Sequence, residues 1–422
     1  MIEFWEKMKT AILTVGTEIL FGQIVNTNAA FLSQQLNNLG YDVMYHYTVG
    51  DNPGRLAELI HLAFRDCDLI LTTGGLGPTQ DDLTKETIAK AMGDVVVENP
   101  ACMKYLKENY ERAGRKMTPN NLKQAYMPSR ATVLPNDAGT APGFALEQDG
   151  KIIIAMPGPP REMQRMFELQ VKPLLQKKQD SVIYYRMLRM FGIGESSLET
   201  VLLPLIDGQT DPTLATYAKE GECSLRIASK RATEEEARAA VDEMTEKVRS
   251  LVGDYIYSYD DEDLIDVVGR LLLEKKITIA CAESCTGGLF AGALTDTSGI
   301  SEVFGHGYVT YSCEAKETEL GVKPETIETY GVVSPQVAEE MAAGLAAKTG
   351  AKLCISVTGL AGPDGGSPEK PVGLAYIGVS YEGRLYAVKS YYRNVSRKWN
   401  RHYTLLRMLF EVYRLISPEK PA

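Results

Sequence analysis

The amino-acid sequence predicts an α/β protein in which two α/β domains flank a smaller α+β domain. Strand-like and helix-like segments alternate in two separate parts of the chain, and Gly-rich loops follow several of the predicted strands. The 422 residues also exceed what a single core usually organises. Such alternation is typical of parallel or mixed sheets covered by helices on both faces. We predict domains over residues 1–175, 176–257 and 258–422.

Composition limits the classes of function. Lys and Arg total 45 against 55 Asp and Glu, and this net charge of −10 argues against non-specific binding to nucleic acids or anionic membranes. No apolar run approaches the roughly 18 residues of a membrane span, and the first residues lack the apolar segment of a signal peptide. The seven cysteines form no Cys-x-x-Cys pair, which argues against a disulfide framework or a structural zinc site. We therefore expect a cytoplasmic protein.

The first domain alternates strands and helices. Its predicted strands are 9–15, 43–49 and 68–73, and its predicted helices are 27–39, 53–65 and 81–92. Gly40 follows the first of these helices, as expected for a helix C-terminus. In sheets of this kind, ligands bind beyond the carboxyl ends of the strands.

One Gly-rich loop of this domain is a candidate phosphate site. Gly74, Gly75 and Gly77 follow a strand and precede a helix, so the backbone can approach an anion near a helix N-terminus. The carboxylates of Asp81 and Asp82 would repel a phosphate unless a hard cation lies between them. The loop therefore suggests a Mg²⁺-type site for a phosphoanhydride or phosphoester. The alternative is simple helix capping by either aspartate.

The middle domain shows no catalytic cluster. Its predicted strands are 184–191 and 223–229, and its predicted helices are 197–205 and 233–251. The second helix carries six acidic residues, which favours a spacer or dimerisation role over nucleic-acid binding. Residues 257–263 are acidic and polar, and we predict that they form a linker.

The third domain contains a candidate nucleophile. An apolar strand leads into residues 280–288, where Ser284 and Cys285 precede Gly287 and Gly288, and a helix is predicted from residue 289. A phosphate cradle, a nucleophile with an oxyanion hole and a tight strand–helix corner all fit this pattern. Strands predicted at 307–311 and from residue 355 end in hydroxyl residues and glycines, so three strand ends can converge on one pocket.

A serine nucleophile needs a base. The chain has four histidines, of which His306 lies in a Gly-His-Gly turn and is one possible base. The other is Lys316, because burial can lower the pKa of a lysine towards neutrality. Tyr311 could relay or orient the proton, and Cys285 is a rival nucleophile.

Several motifs of the first domain together resemble the molybdopterin-binding fold as it occurs in the CinA family of competence/damage-inducible proteins. They lie at residues 16–20, 26–28, 72–84, 135–143 and 156–163. The resemblance implies a divalent-metal-dependent ADP-ribose pyrophosphatase, with Asp51, Asp81 and Asp82 as candidates for metal ligand or general base. The nucleotide-binding residues that it implies are Glu18, Asn26, Asn28, Gly74, Gly75, Gly77, Thr79, Asp137, Gly139, Thr140, Pro157 and Gly158. The middle domain is similar to the KH-type domain of the same family.

The third domain resembles the PncC, or CinA C-terminal, family through residues 282–288, 309–312, 332–334, 357–363 and 371–373, together with Lys316. This resemblance implies a metal-free amidase that converts nicotinamide mononucleotide (NMN) to nicotinic acid mononucleotide and ammonia. Ser284 would be the nucleophile, and Lys316 would act first as the base and then as the acid. Tyr311 would assist the proton transfer by Lys316. The implied substrate contacts are Glu283, Thr286, Gly287, Gly288, Ser301, Thr358, Gly359, Arg397 and Arg401. Among these, the glycines are candidate oxyanion donors, and the arginines would bind the NMN phosphate.

Two alternatives stay open. The first domain could bind a pterin or a nucleotide without turnover, or the chain could be a non-enzymatic protein of DNA uptake or repair. The resemblance also implies a homodimer.

Overall fold

The computed structural model describes residues 8–112, 114, 116–177, 182–392 and 395–417. The chain forms two compact units: one comprises the residues up to Tyr184 with Lys230–Arg238, and the other comprises Tyr185–Ser229 with the residues from Ala239 onward. All seven cysteines are unpaired. Within the described ranges, no helix is both long and apolar enough to cross a lipid bilayer.

The first unit is built on a mixed six-stranded sheet in the order β2-β1-β3-β8-β7-β6. The strands of this unit are β1 (Lys9–Val15), β2 (Asp42–Val49), β3 (Leu69–Thr73), β4 (Val96–Glu98), β5 (Tyr126–Pro128), β6 (Thr132–Leu134), β7 (Gly143–Gln148) and β8 (Lys151–Met156). Its α-helices are α1 (Thr17–Leu20), α2 (Thr27–Asn38), α3 (Pro53–Asp66), α4 (Thr84–Ala91), α5 (Pro100–Arg112), α6 (Pro160–Met166) and α7 (Lys172–Gln176). The first four strands of the sheet are parallel, and β7 and β6 extend it in antiparallel fashion. The predicted α/β class is confirmed.

Helices cover both faces of this sheet. All five residues of β3 are buried, as expected for a central strand of apolar and β-branched residues. Successive side chains point to opposite faces, so Leu69 packs in one cluster with Leu32 of α2, whereas Ile70 packs in another with Ile60 of α3. The carboxyl ends of the parallel strands are therefore the places at which loops can build a site.

Helix α4 begins later than the sequence predicts. Prediction placed its start near Asp81, but the first helical residue is Thr84. The Asp82 carboxylate accepts a hydrogen bond from the backbone N–H of Thr79 at 2.8 Å, so it closes a turn ahead of the helix. Asp82 thus does not cap the helix, and the turn it closes lies beside the Gly-rich loop.

The middle module has a four-stranded sheet in the order β10-β11-β9-β12. Its elements are β9 (Val182–Phe191), α8 (Glu195–Ile206), β10 (Thr213–Lys219), β11 (Glu222–Arg231), α9 (Glu234–Val252) and β12 (Ile256–Ser258). The linker prediction is wrong at its start, because Tyr257 and Ser258 are buried in β12. Further along, Arg189 of β9 forms ion pairs with Asp261 and Asp263 at 2.8 and 2.7 Å. This acidic stretch is therefore held against the middle sheet.

The remainder of the second unit is built on a five-stranded sheet in the order β14-β13-β15-β16-β17. Its strands are β13 (Ile279–Glu283), β14 (Phe304–Val309), β15 (Leu353–Gly359), β16 (Leu374–Tyr381) and β17 (Arg384–Tyr391). Its helices are α10 (Leu264–Lys275), α11 (Leu289–Thr295), α12 (Cys313–Leu320), α13 (Pro324–Tyr330), α14 (Pro335–Thr349) and α15 (Arg397–Ile416). Strands β14, β13 and β15 are parallel, and Glu283 lies opposite both Val309 and Val357. Ser284 and Thr310 therefore emerge at the same edge, as predicted.

Candidate active sites

Ser284 and Lys316 form a contact pair at this edge. Ser284 follows β13, where its backbone N–H donates to the Val357 carbonyl at 3.1 Å. Lys316 lies on α12, which begins after Ser312, whose hydroxyl accepts from the backbone N–H of Ala315. The Lys316 side chain is fully buried, and its Nζ lies 3.1 Å from Ser284 Oγ. The structure therefore places the predicted nucleophile and the predicted base within hydrogen-bonding distance.

Lys316 is buried among backbone carbonyls, and this environment makes its ammonium easier to deprotonate. Burial lowers the pKa of Lys316 below its ordinary value of 10.5. Its Nζ donates to the carbonyls of Thr310 at 2.7 Å and Tyr311 at 3.3 Å. A third carbonyl, that of Ser312, lies 3.5 Å from Nζ. A neutral amine that donates its two N–H groups to the two nearer carbonyls keeps its lone pair for the hydroxyl of Ser284. Lys316 can therefore accept the serine proton.

Glu283 shapes the turn that carries Ser284. Its carboxylate is fully buried and accepts three backbone N–H groups: those of Gly288 at 3.0 Å, Phe290 at 3.1 Å and Ala291 at 2.9 Å. It thereby caps the first turn of α11, where a negative charge is favourable. The resemblance implied a substrate contact, but the structure shows a positioning residue whose oxygens are already bonded.

Replacing Glu283 by Gln tests this role. The amide offers one acceptor oxygen and turns an NH₂ group towards backbone donors, so we expect the second unit to lose about 2–4 kcal/mol of unfolding free energy. Urea denaturation followed by circular dichroism measures the change. The exposed Glu302→Gln variant is the matched control, and equal stability of the two variants would contradict the capping role.

The predicted oxyanion donors are engaged within the turn. The N–H of Gly287 donates to the Ser284 carbonyl at 3.1 Å, and the N–H of Gly288 donates to Glu283. Arg401 bonds the carbonyls of Cys285 and Thr286, at 3.1 and 2.6 Å. In a trans peptide the N–H points away from the carbonyl, so the Thr286 N–H points away from Arg401, and no acceptor for it is found among the described residues. Thr286 N–H is therefore the better candidate oxyanion donor.

Arg397 and Tyr311 contact each other. One guanidinium nitrogen of Arg397 donates to the Gly362 carbonyl at 2.6 Å, and another donates to the Tyr311 hydroxyl at 2.8 Å. The side chain of Tyr311 is exposed, and only its backbone carbonyl contacts Lys316. A proton relay through the Tyr311 hydroxyl is thus not formed here. Arg397 and Arg401 line the turns around the Ser–Lys pair, with part of their donor capacity bound to carbonyls.

Three further predicted contacts have other roles or lie elsewhere. The Thr358 hydroxyl donates to the Val332 carbonyl at 2.8 Å. Gly359 packs against Cys285, because a Cβ at this position would lie 3.0 Å from the Cys285 sulfur. Ser301 is exposed in a short 3₁₀ helix, and none of the contacts of the Ser–Lys pair involves it.

The two rivals for the catalytic roles are not supported. Cys285 is buried in the core, and burial raises the pKa of its thiol to about 12, so a thiolate is disfavoured. His306 is exposed on the edge strand β14, and Lys316 occupies the place beside Ser284. The geometry therefore favours the serine and the lysine as the candidate pair.

In the first unit, the predicted residues converge around the carboxyl ends of β1, β3 and β8. The Asn28 amide donates to the Thr73 hydroxyl at 3.0 Å and to the Gly158 carbonyl at 2.7 Å. The Thr73 hydroxyl donates to the Pro157 carbonyl at 2.7 Å. Asn26 caps α2 and donates to the hydroxyl of Thr14. These bonds fix the floor of a Gly-lined site.

Two glycines of this loop are sterically required. Gly74 has φ 106°, and a Cβ there would lie 2.0 Å from the Val15 carbonyl oxygen. Gly75 has φ 68°, and a Cβ there would lie 2.1 Å from the Thr84 hydroxyl oxygen. Only glycine allows this left-handed backbone to lie so close to its neighbours. The loop therefore packs closely against the end of β1 and the start of α4.

The three candidate metal-binding aspartates do not meet in one cluster. Asp51 accepts hydrogen bonds from the backbone and hydroxyl groups of Thr17, at 3.1 and 2.7 Å. Asp81 and Asp82 lie with Thr79 on one exposed turn, and hydrogen bonding to Thr79 lowers the pKa of Asp81. Over the described part of the chain, no group of three or more His, Cys, Asp or Glu side chains could hold a metal ion. The described residues therefore do not form the three-aspartate cluster that the resemblance implied.

The remaining predicted residues lie at the edges of this region. The Asp137 carboxylate is held by Arg165 through bonds of 2.7 and 2.6 Å. A Cβ on Gly139 would overlap the Glu162 carboxylate, and a Cβ on Gly16 would lie 2.8 Å from that of Glu18. A Cβ on Gly77 would lie 2.5 Å from the carboxylate of Asp82, and Thr140 is half-buried.

Sequence reasoning missed two groups that shape these sites. Asn400 donates to the Ala361 carbonyl at 3.0 Å, so α15 holds two loops through Arg397, Asn400 and Arg401. Their i, i+3, i+4 spacing was the available signal. Lys85 is buried behind the Gly-rich loop although it lies within a polar stretch, and no periodic pattern marked it.

The folds and the Ser–Lys pair define a mixed α/β protein with a buried serine–lysine contact in one unit and a Gly-rich loop in the other. The CinA C-terminal domain family matches residues 261–416, the family described as "Probable molybdopterin binding domain" matches residues 11–177, and the damage-inducible protein CinA KH domain family matches residues 185–258. The chain belongs to the CinA family of competence/damage-inducible proteins.

Two relatives that span about nine-tenths of the chain support this assignment. A protein of Clostridium kluyveri named as competence-damage inducible is 49% identical over 90% of this chain and 92% of its own length. A protein of the same name from Acetivibrio thermocellus is 48% identical over 89% of this chain and 91% of its own length. A crystal structure of a CinA protein from Thermoplasma acidophilum is 36% identical, covers 40% of this chain and 98% of its own, and has a TM-score of 0.38.

Proposed function

We propose that the second unit is an amidase that hydrolyses NMN to nicotinic acid mononucleotide and ammonia. The observation that carries the proposal is the fully buried Lys316, whose Nζ lies 3.1 Å from Ser284 Oγ. A lysine whose pKa is lowered by burial is a base suited to activating a serine. The family resemblance in this domain supplies the substrate class.

In the proposed reaction, Lys316 takes the hydroxyl proton of Ser284, and Oγ attacks the carboxamide carbon. The backbone N–H of Thr286 stabilises the oxyanion. The tetrahedral intermediate collapses when Lys316 returns the proton to the leaving nitrogen, which releases ammonia and leaves an acyl-serine ester. Water, deprotonated by Lys316, then hydrolyses the ester and regenerates Ser284.

For the phosphate of NMN, Arg397 and Arg401 are the nearby cations. Arg401 bonds the carbonyls of Cys285 and Thr286 within the nucleophile turn, and Arg397 bonds the carbonyl of Gly362 and the hydroxyl of Tyr311. Remaining donors can bind a phosphate bidentately.

The first unit is proposed to hydrolyse the phosphoanhydride of ADP-ribose. Support comes from the Gly-rich loop beside the start of α4. The N–H of Gly74 donates to the Met156 carbonyl, whereas those of Gly75 and Gly77 have no acceptor among the described residues, so they could donate to a pyrophosphate. Asn28 and Thr73 hold the floor of this site. Both substrates are fragments of the same dinucleotide, so the two activities on one chain are metabolically coherent.

A divalent cation fits this site only if the substrate supplies most of its ligands. Mg²⁺ is commonly bound by one or two carboxylates together with phosphate oxygens and water. Asp81 and Asp82 supply such a pair on an exposed turn. When bound, the cation would neutralise charge on the phosphoanhydride. The protein itself would orient the substrate through the Gly-rich loop and the site that Asn28 helps to hold.

One assay tests both halves. We expect the wild-type protein to release ammonia from NMN at the same rate with and without EDTA. We expect it to release AMP from ADP-ribose only when Mg²⁺ is supplied. Absence of ammonia would contradict the amidase. Absence of AMP at any Mg²⁺ concentration would leave the first unit as a binding domain.

A further inference from the structure

We propose that Lys85 and Lys123 are positioning residues that hold the 79–82 turn, and with it Asp81 and Asp82, in place for the phosphoanhydride site. The proposal rests on the function proposed above for the first unit. Both lysines lie outside the set of residues that the sequence predicts for this site. Neither contacts a predicted nucleotide-binding side chain through its ammonium group.

The first part of the tether is the side chain of Lys123. Its Nζ donates to the carbonyl of Thr79 at 3.2 Å and also to the carbonyl of Asp82. These two carbonyls belong to the first and last residues of the turn. The ammonium group of Lys123 therefore bridges the two ends of the turn. The carboxylate of Asp82 joins the same two residues by accepting the N–H of Thr79.

The second part of the tether is Lys85, on the first turn of α4. Its side chain is only 1% exposed, and its Nζ donates to the backbone carbonyl of Lys123 at 2.7 Å. Lys123 lies on a short 3₁₀ helix, Pro119–Ala125, that begins with a capping box between Thr118 and Asn121. Lys85 thus fixes the segment from which Lys123 reaches the turn.

The burial of Lys85 is costly and calls for a function. Its ammonium group lies at the edge of a core that includes Cys102, and burial lowers its pKa to about 8. An apolar side chain of the same length would fill this space at lower cost. The charged groups around the pair are Glu86, 3.8 Å from Lys123 Nζ, and Asp82. Perturbed lysines of this kind cluster at functional sites.

The tether also explains why α4 starts late. With the carbonyl of Asp82 bound by Lys123, the turn is held out of the helix, and the Asp82 carboxylate stays beside Gly77. Without the ammonium, the 79–82 carbonyls would lose their only charged donor among the described residues. The turn would then sample other conformations, and the aspartates would be less well placed for a cation.

The test is hydrogen–deuterium exchange on the full chain, without metal, in Lys123→Met and wild-type protein. We expect the amides of residues 77–83 to exchange about tenfold faster in the variant, as for the loss of a charge-assisted hydrogen bond, while those of β1 and β13 keep their wild-type rates. Lys85→Met should show the same local change. Lys90→Met, which removes an exposed lysine from the same helix, is the matched control.

A second readout separates positioning from general stability. The Mg²⁺ concentration that half-saturates AMP release should rise about tenfold in Lys123→Met, while ammonia release from NMN by the same preparation stays unchanged. Exchange at 77–83 equal to that of Lys90→Met, or faster exchange throughout the first unit, would overturn the proposal. If the wild-type protein releases no AMP, the proposed pyrophosphatase fails, and the metal-free exchange experiment still decides whether the tether exists.

Discussion

Ser284→Ala is expected to lower NMN deamidation at least about a thousandfold, since removal of a nucleophile leaves only the contribution of binding and oxyanion stabilisation. The hydroxyl is small and makes its side-chain contact with Lys316, so the variant should fold normally. Ammonia release in EDTA measures the effect. In the same preparation, AMP release from ADP-ribose should keep the wild-type rate.

Cys285→Ala is the matched control for this experiment. Its sulfur lies next to Ser284 in sequence but is buried in the core, with a thiol pKa raised to about 12. We expect that variant to retain activity within a fewfold of wild type. A large loss in Cys285→Ala, with full activity in Ser284→Ala, would reassign the nucleophile to the cysteine.

Lys316→Met is expected to lower the same activity about a hundred- to ten-thousandfold, the usual contribution of a general base. The thioether fills the buried space but cannot accept the proton of Ser284. Lys352→Met, which changes an exposed lysine of the same unit, is the control. Wild-type activity in Lys316→Met would show that another group serves as the base.

The pH dependence of NMN deamidation should reflect the direction in which the Lys316 pKa is shifted. Because burial lowers this pKa below 10.5, the amine becomes a base as pH rises through the folded-state value, and the rate should climb tenfold per pH unit below it. Between the folded-state value and 10.5, the unfolded chain binds more protons, so the stability of the fold should also rise with pH. The residual rate of Lys316→Met should not show this rise with pH, which is the acid limb of the pH–rate profile. An identical limb in the variant would assign it to a different group.

Several features of the candidate sites could be predicted from the sequence. The strand leading to Ser284 and the helix from residue 289 are read from local patterns, because β-branched runs and glycines act within a few residues. The Gly-rich loop at Gly74 was recognisable for the same reason. The linker prediction over 257–263 is wrong at its first two residues, which lie in β12, and the charge pattern does not reveal that Arg189 pairs with Asp261.

Side-chain roles were harder to predict. Glu283 and Arg401 have the residue types of substrate contacts, yet their hydrogen bonds go to backbone groups of the same turn. Which partner a charged side chain selects depends on distances across several elements, and no local pattern encodes these distances. The same reason explains why Tyr311 contacts Arg397 rather than the Ser–Lys pair.

By itself, the sequence determined the α/β class, the strand ends at which the sites lie and the residue types available for chemistry, because these follow from short-range periodicity and turn residues. Only the tertiary structure decided that Lys316 is buried and 3.1 Å from Ser284, and that Lys85 is buried behind the Gly-rich loop. Burial arises when separate helices and strands pack together and remove a side chain from water. The resulting loss of solvation lowers the pKa of both lysines.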